Sequence, residues 1–261
     1  MDRQTTLQAT NFSPSTALSK VPEVTLLFWL IKIAATTLGE TGGDAVSMSM
    51  HLGYLLGTAI FGVIFLIAVS AQIRTRQFRP ALYWFTVIAT TTAGTTLADF
   101  ADRSLGIGYL GGSLLLAMLL MLSLGIWYKT TGSVSVEHVS SPRAELFYWI
   151  TIMFSQTLGT ALGDWVADTA GLGYSGAAGI FGGLLLLIAA AYFLTRLSRT
   201  ALFWAAFILT RPLGAVVGDF LDKPVDAGGL ALSRYMASIA LIAFIAICIL
   251  FFRERPAGMQ R

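Results

Sequence analysis

Residues 37–44 read Thr-Leu-Gly-Glu-Thr-Gly-Gly-Asp, and residues 157–164 read Thr-Leu-Gly-Thr-Ala-Leu-Gly-Asp. Both stretches belong to a longer pattern that occurs four times along the chain. Each copy has an aromatic-Trp pair, a Gly ten residues after the Trp, and a small residue followed by an Asp fifteen residues after the Trp. The Trp, Gly and Asp residues of the four copies are Trp29, Gly39 and Asp44; Trp84, Gly94 and Asp99; Trp149, Gly159 and Asp164; and Trp204, Gly214 and Asp219.

The four copies are related at two levels. Copies one and three share T-L-G-x-x-x-G-D, whereas copies two and four share D-F-x-D-[RK], at residues 99–103 and 219–223. Matched copies are 120 residues apart in both cases. We therefore expect a duplicated four-helix unit, itself made of two duplicated hairpins. Because each hairpin contains two spans, the copies are parallel repeats about an axis along the membrane normal.

The composition is that of a membrane protein. Hydrophobic residues make up 56% of the chain and charged residues 12%, with a mean hydropathy of +0.73, whereas a soluble domain is about 25% charged. The single cysteine, Cys248, excludes an internal disulfide. The sequence predicts an all-α polytopic bundle of about eight transmembrane helices, each of about 20 residues. The predicted spans are 24–47, 54–74, 81–105, 108–128, 145–169, 174–195, 200–224 and 231–252.

These spans divide the chain into two repeat halves, residues 24–128 and 145–252, joined by a polar linker at 129–144. A polar N-terminal segment, 1–23, and a tail, 253–261, complete it. Lys and Arg residues concentrate in the loops on one side of the spans. Since basic loops are retained in the cytoplasm, both termini should be cytoplasmic and the four Asp motifs should face outward.

The helical period sorts the motif into faces. At about 100° per residue, positions seven and four residues before the Asp lie on its face. A cation site is therefore predicted from Asp44, Asp99, Asp164 and Asp219, with Glu40 and the hydroxyls of Thr37, Thr92 and Thr157. Eleven residues before each Asp the same face is apolar. Those residues, Ile33, Ile88, Met153 and Ile208, are the predicted gate.

Every copy also has a second carboxylate within one turn of the first: Glu40/Asp44, Asp99/Asp102, Asp164/Asp168 and Asp219/Asp222. Like charges at this spacing destabilise a helix, particularly near its C-terminus. Bound cations, protons or neighbouring basic groups must compensate. Lys32 and Arg211 interrupt the fourfold pattern and are expected to modulate the charge of the site. Arg211 is a candidate to neutralise Asp219 or to act as a tethered cation that yields to substrate.

Carboxylates and hydroxyls are hard oxygen ligands, which suit magnesium, calcium or manganese. The predicted metal ligands are Asp44, Asp99, Asp164 and Glu40. The motifs of common hydrolases and phosphate-binding enzymes are missing from the sequence, so an enzyme is not expected. The expected partners are the lipid bilayer and a cation substrate, with no nucleic acid and no resident cofactor.

The segment Ala34-Ala35-Thr36-Thr37-Leu38-Gly39-Glu40-Thr41-Gly42-Gly43-Asp44 and its repeats resemble those of bacterial polytopic proteins described as uncharacterised membrane-anchored proteins. The resemblance covers roughly residues 24–252 and implies a bacterial inner-membrane location. Residues 40–44 are also faintly similar to the E-x-G-D-[KR] signature of manganese/calcium–proton exchangers. They differ by one extra Gly and by the absence of a basic residue after the Asp.

Three functions are compatible with these features. The first is a cation transporter or channel with its site on the repeat axis, coupled to protons because clustered carboxylates share them. The second is a structural or regulatory membrane protein whose Asp residues mediate helix or partner contacts. The third is an organic-cation transporter that uses the four motif Trp side chains as cation–π walls, although interfacial anchoring is the ordinary role of Trp near the end of a span.

Overall fold

The computed structural model describes residues 19–259; residues 1–18, 260 and 261 of the predicted terminal segments lie outside this range. The described chain contains eight long helices and no named strand. They are α1 Leu26–Asp44, α2 Gly53–Arg74, α3 Pro80–Asp99, α4 Tyr109–Thr131, α5 Pro142–Asp164, α6 Gly173–Leu194, α7 Arg199–Asp222 and α8 Arg234–Phe251. Short 3₁₀ turns occur at Val136–His138 and Val225–Ala227.

The odd-numbered helices begin at recognisable caps. The hydroxyls of Thr25, Ser141 and Ser198 accept hydrogen bonds from backbone N–H groups in the first turns of α1, α5 and α7. Such side chains satisfy donors that have no partner inside the helix. Pro80 and Pro142 occupy the first positions of α3 and α5, where the missing N–H is harmless. Local sequence thus fixes the end of each odd-numbered helix opposite its Asp.

The first three Asp residues are each followed by one π-helical turn. These turns are Ala45–Ser49, Phe100–Ser104 and Trp165–Thr169. Each of them is closed by a hydrogen bond between residues five apart, such as Met50 N to Ala45 O at 2.9 Å. Single π-helical turns are often found at functional sites. In the fourth copy α7 instead continues as an α-helix to Asp222.

The eight helices form two concentric rings. In the inner ring, α1 packs on α3, α3 on α5, α5 on α7, and α7 back on α1. The outer helices α2, α4, α6 and α8 pack on α3, α5, α7 and α1, respectively. Each outer helix therefore packs mainly on the inner helix of the next copy, not on the one before it in sequence. The expected hairpins are continuous in sequence but are interlocked in space, with α8 closing the circle on α1.

The motif glycines allow the inner helices to approach one another closely. A Cβ on Gly39 would lie 2.5 Å from Thr91, and one on Gly94 would lie 3.0 Å from Gln156. Gly159 meets Arg211 in the same way, and Gly214 meets Thr36. In each case the glycine faces the residue eight positions before the Asp of the next copy. Because the fourth contact returns to the first copy, the small-residue edges close a pseudo-fourfold ring.

Polarity is inverted relative to a soluble protein. Large apolar side chains are exposed on the outer helices, among them Leu55, Leu66, Leu115, Leu187 and Ile239. The buried polar residues include most threonines of α1, α3 and α5. Five helices, α2, α4, α6, α7 and α8, are long and apolar enough to cross a membrane, which indicates a membrane protein. The remaining three helices, α1, α3 and α5, are less apolar because their interior faces carry polar side chains. The apolar character expected of a membrane span is therefore found in five helices and not in the predicted eight.

The end of the ring opposite the Asp residues is closed by aromatic side chains. Phe28, Tyr83, Tyr148 and Phe203 are buried there, and the hydroxyls of Tyr83 and Tyr148 are 2.6 Å apart. Trp84, Trp149 and Trp204 are also buried. The expectation of interfacial anchoring is therefore wrong for these three tryptophans. They pack against aromatic neighbours in the core, with ring centroids 5.2 to 6.2 Å apart.

A cap formed by three chain segments covers this aromatic end. Residues 19–23 pair with residues 255–257, and Lys20 N donates to Val139 O in the linker at 3.1 Å. The Lys20 ammonium contacts the Glu145 carboxylate at 2.5 Å and three backbone carbonyls at the end of α2. Val136 and Val139 of the linker are buried. The linker between the predicted halves is thus part of the packed core.

Candidate functional site

The inner ring brings the four motif Asp side chains together at one end, and all four are buried. Each lies at the last position of the α-helical part of its helix or within one turn of it. They are joined there by Glu40 from α1 and Asp222 from α7, which are also buried. We call these six residues the carboxylate layer: Glu40, Asp44, Asp99, Asp164, Asp219 and Asp222.

Two basic side chains each bridge a pair of motif carboxylates. Arg103 contacts Asp99 at 2.9 Å and Asp164 at 3.3 Å. Lys223 contacts Asp219 at 3.0 Å and Asp44 at 2.6 Å. In each case one carboxylate belongs to the same helical segment and the other to the next copy around the ring. The two bridges occupy equivalent places in the two halves of the repeat.

A third basic group, Arg234 at the start of α8, binds Asp222 at 2.8 Å and approaches Asp44 at 3.7 Å. With Arg211, which binds Glu40, four basic groups among residues 19–259 are therefore ion-paired with the six carboxylates. Six against four leaves the layer with two more acidic than basic groups. Buried charges are costly unless they are neutralised. Either two protons or further positive charge would balance the layer.

Arg211 reaches from α7 across the ring interior and is fully buried. Its Nη2 donates to Glu40 Oε2 on α1 at 3.0 Å and to the hydroxyls of Thr95 on α3 and Thr160 on α5. One guanidinium thus touches the other three inner helices and fills the axis below the motif Asp residues. The expected pairing of Arg211 with Asp219 is wrong: the partner of Arg211 is Glu40, and that of Asp219 is Lys223.

The threonines of the predicted shell are buried but take a different role. Thr92 and Thr157 donate to the carbonyls of Ile88 and Met153, four residues earlier in their own helices. Thr37 is buried as well. The hydroxyls that meet the axial guanidinium come instead from Thr95 and Thr160. The predicted shell therefore contributes to helix packing more than to the centre of the ring.

The structure also places the predicted gate residues away from the centre of the ring. Ile33, Ile88, Met153 and Ile208 are only half-buried, so they do not line the interior. The residues one position earlier, Lys32, Val87, Ile152 and Phe207, are all fully buried. The interior row therefore steps by four residues from the Asp. Rows of residues four apart are inclined to a helix axis by about 26°, and tilted helices present such a row to the centre.

Carboxylate oxygens in two subsets of the layer are close enough for one metal ion. Oxygens of Glu40, Asp44 and Asp99 lie within 4.8 Å of one another, as do those of Asp44, Asp219 and Asp222. Three of the four predicted metal ligands are thus brought together, and Asp44 belongs to both subsets. Asp164, the fourth, belongs to neither subset and contacts Arg103 at 3.3 Å.

Sequence reasoning missed the bridging roles of Arg103, Lys223 and Arg234. For the first two a signal was present, because D-F-x-D-[RK] places the basic residue four positions after the Asp, on the same helix face. Their second contacts, to the next copy, depend on the ring. Arg234 carries no repeat signal, and only the packing of α8 on α1 brings it to Asp44.

Comparison with known proteins agrees with the fourfold architecture. Residues 27–78, 82–133, 147–198 and 202–255 each match the family described as Repeat of Unknown Function (DUF347). Each match covers one inner helix and the outer helix that follows it. No curated protein and no solved structure matches the chain. Since the four matches cover most of its length, the chain belongs to the DUF347 repeat family and carries four copies of its repeat.

Proposed function

We propose that the protein transports a small cation across a bacterial inner membrane, with a divalent metal such as manganese, magnesium or calcium as its substrate. The observation that carries this proposal is the composition of the carboxylate layer. Six buried carboxylates face four basic groups, and an excess of two negative charges is matched by one divalent ion. Hard oxygen ligands favour these ions over zinc or copper.

In the proposed transporter all eight helices cross the bilayer. The apolar outer helices would face lipid, which allows α1, α3 and α5 to keep polar interior faces. The excess of Lys and Arg in the loops at the aromatic end favours a cytoplasmic position for that end and for both termini. The carboxylate layer would then take its ion from the outer side.

The described conformation corresponds to a closed state. Lys223 and Arg211 contact the carboxylates that a metal would use, and buried aromatic side chains close the other end of the ring. Binding of a divalent ion would require Lys223 or Arg211 to give up a carboxylate contact but to stay beside the layer, so that four basic groups and two ionic charges match the six carboxylates. Protonation of the same carboxylates offers a route to proton coupling, because clustered acids share protons. The faint similarity of residues 40–44 to an exchanger signature also favours a cation.

Ion flux tests the proposal. Purified protein in liposomes that contain a metal-sensitive dye should admit manganese, magnesium or calcium faster than empty liposomes. The Asp99→Asn variant should lose this flux, whereas Asp226→Asn, which changes an exposed loop residue, should keep it. Equal flux in wild-type, Asp99→Asn and empty liposomes for every metal would refute transport.

One observation favours a second function, that of a structural membrane protein. Each of the six layer carboxylates contacts a basic side chain of the described chain that links two helices, as Arg103 joins α3 and α5. Such bridges would fasten the ring without any transported ion. Under this function the Asp99→Asn variant would unfold at a lower temperature, and wild-type liposomes would show no flux.

A further inference from the structure

A second polar layer lies about two turns deeper than the motif Asp residues, and it is basic. It consists of Lys32, Thr91, Ser155, Gln156 and Arg211, all fully buried. Thr91, Gln156 and Arg211 stand eight residues before their Asp, and Ser155 stands nine before. Lys32 stands twelve residues before Asp44, one turn deeper than the others. Its ammonium donates a hydrogen bond at 3.2 Å to the hydroxyl of Thr210, which stands nine residues before Asp219. We call this group the basic layer.

The guanidinium of Arg211 uses only one of its nitrogens for the contacts above. Its Nη2 makes all three hydrogen bonds, whereas Nε and Nη1 are buried and make none within the described chain. An arginine carries five N–H donors. Three of them therefore have no acceptor among residues 19–259. A buried donor without a partner destabilises the folded protein, and the cost is greater in a charged group.

Lys32 is the second cation of the layer. Its Nζ lies 3.9 Å above the ring of Phe207 and donates to the Thr210 hydroxyl. The described residues form no ion pair with it, and the cation–π contact replaces only part of a lost counter-ion. Phe207 and Arg211 are one turn apart on α7, so both positive groups border the same part of the ring interior.

Uncharged donors come from α3 and α5, whereas the two cations come from α1 and α7. The side-chain amide of Gln156 on α5, the hydroxyl of Thr91 on α3 and the hydroxyl of Ser155 on α5 are all buried, and none makes a hydrogen bond in the described chain. These three groups and the two cations come from four different inner helices. The basic layer therefore contains unused N–H and O–H donors at one level of the inner ring, beside two positive charges and a single contacting carboxylate, Glu40.

We propose that the basic layer binds a small inorganic anion of the size of chloride between the Arg211 guanidinium and the Lys32 ammonium, with Gln156, Thr91 and Ser155 as neutral donors. An anion would accept the unused hydrogen bonds and supply the counter-charge that Lys32 lacks. The close helix approaches at Gly94, Gly159 and Gly214 favour a monatomic ion over a larger oxyanion. This proposal does not rest on cation transport.

Chloride-dependent stability tests the proposal. Protein purified in detergent with sodium gluconate should unfold at a higher temperature as chloride replaces gluconate at constant ionic strength. A saturable rise of about 2–4 °C is expected, because a ligand that binds only the folded state stabilises it. The Lys32→Met variant should lose this rise, and Lys129→Met, at an exposed lysine, should retain it. Gln156→Leu removes one donor without changing charge and should weaken the apparent chloride affinity about tenfold.

Two outcomes would overturn the proposal. One is an unfolding temperature of the wild type that does not respond to chloride. The other is an equal response in wild-type, Lys32→Met and Gln156→Leu proteins, which would place the effect elsewhere. Crystals grown in bromide locate the ion directly: the anomalous peak should lie beside Arg211 and Lys32, and a bromide bound only elsewhere contradicts the assignment. If Lys32→Met does not fold, Gln156→Leu and the bromide position decide the question.

Discussion

The guanidinium of Arg211 on α7 binds the carboxylate of Glu40 on α1 at 3.0 Å, across the interior of the inner ring. Both side chains are buried. Neither has an equivalent in the other copies, where threonines, a glutamine and an alanine take the same positions. The pair therefore breaks the fourfold symmetry at the axis and fills it with a cation that belongs to the protein.

Removing one partner of this pair should destabilise the protein more than removing both. Arg211→Met or Glu40→Gln alone leaves a buried group unmatched, at a cost of about 3–5 kcal/mol for a lost charge partner. The double variant should recover much of this loss. Thermal unfolding of the four proteins in detergent measures the coupling, with Arg76→Met as an exposed control. Additive effects of the two substitutions would show that the groups do not interact.

Ring closure should depend on the motif glycines. A Cβ at Gly214 would collide with Thr36, whereas a Cβ at Gly179 on α6 meets no atom within 4 Å. Gly214→Ala should therefore destabilise the protein by about 1–3 kcal/mol through overpacking. Gly179→Ala should be neutral or slightly stabilising, because alanine favours a helix over glycine. Equal unfolding temperatures for the two variants would contradict the close packing of α7 on α1.

Much of this architecture was predictable from the sequence, because a four-times repeated motif with helical spacing specifies both the helices and their parallel relation. The meeting of the four Asp residues at one end of the bundle follows from it. The interior row was misassigned by one position, because straight-helix geometry ignores the tilt that ring closure imposes. Because of this shift, the predicted gate contained the half-buried Met153 and Ile208 instead of the fully buried Ile152 and Phe207.

Other features depend on contacts that no local pattern specifies. The outer helices pack on the next copy, so Arg234 of α8 reaches Asp44 of α1, 190 residues away in sequence. Trp residues near the end of a span are typical of the interface, but Trp84, Trp149 and Trp204 are buried against aromatic neighbours at the aromatic end of the ring. Such contacts between residues far apart in sequence are determined by tertiary packing rather than by composition.

Glu254 should give the aromatic end a dependence on pH. Burial raises the pKa of Glu254 above its ordinary value of 4.5, and the hydrogen bond from the Trp84 indole at 2.8 Å offsets only part of this effect. The folded protein thus holds this proton more tightly than the unfolded chain does. Its contribution to stability is full below the ordinary pKa and is lost as pH rises through the raised one.

The Glu254→Gln variant removes this titration but can keep the contact with Trp84. Relative to this variant, the wild type should lose thermal stability as pH rises from the ordinary pKa of 4.5 through the raised pKa of Glu254. Glu137→Gln, at an exposed residue of the linker, serves as the control and should follow the wild type. A constant difference between wild type and Glu254→Gln over this range would show that Glu254 titrates normally.

The two ends of the ring should be accessible from opposite sides of the membrane. Glu137 in the linker and Ser175 near the start of α6 are both exposed and lie at opposite ends of the helices. In a background with Cys248→Ala, cysteine at position 137 should react with a membrane-impermeant reagent only after the cells are opened. Cysteine at position 175 should react in intact cells. Labelling of both from the same side would refute the eight-span arrangement.

Binding of manganese to the purified protein tests the carboxylate layer most directly. Electron paramagnetic resonance of free Mn²⁺ during a titration gives the number and affinity of bound ions. The account predicts one ion per chain, at least tenfold weaker binding in Asp44→Asn because Asp44 belongs to both candidate ligand subsets, and unchanged binding in Asp226→Asn. A wild type that binds no manganese, magnesium or calcium, or an Asp44→Asn variant that binds them as the wild type does, would contradict it.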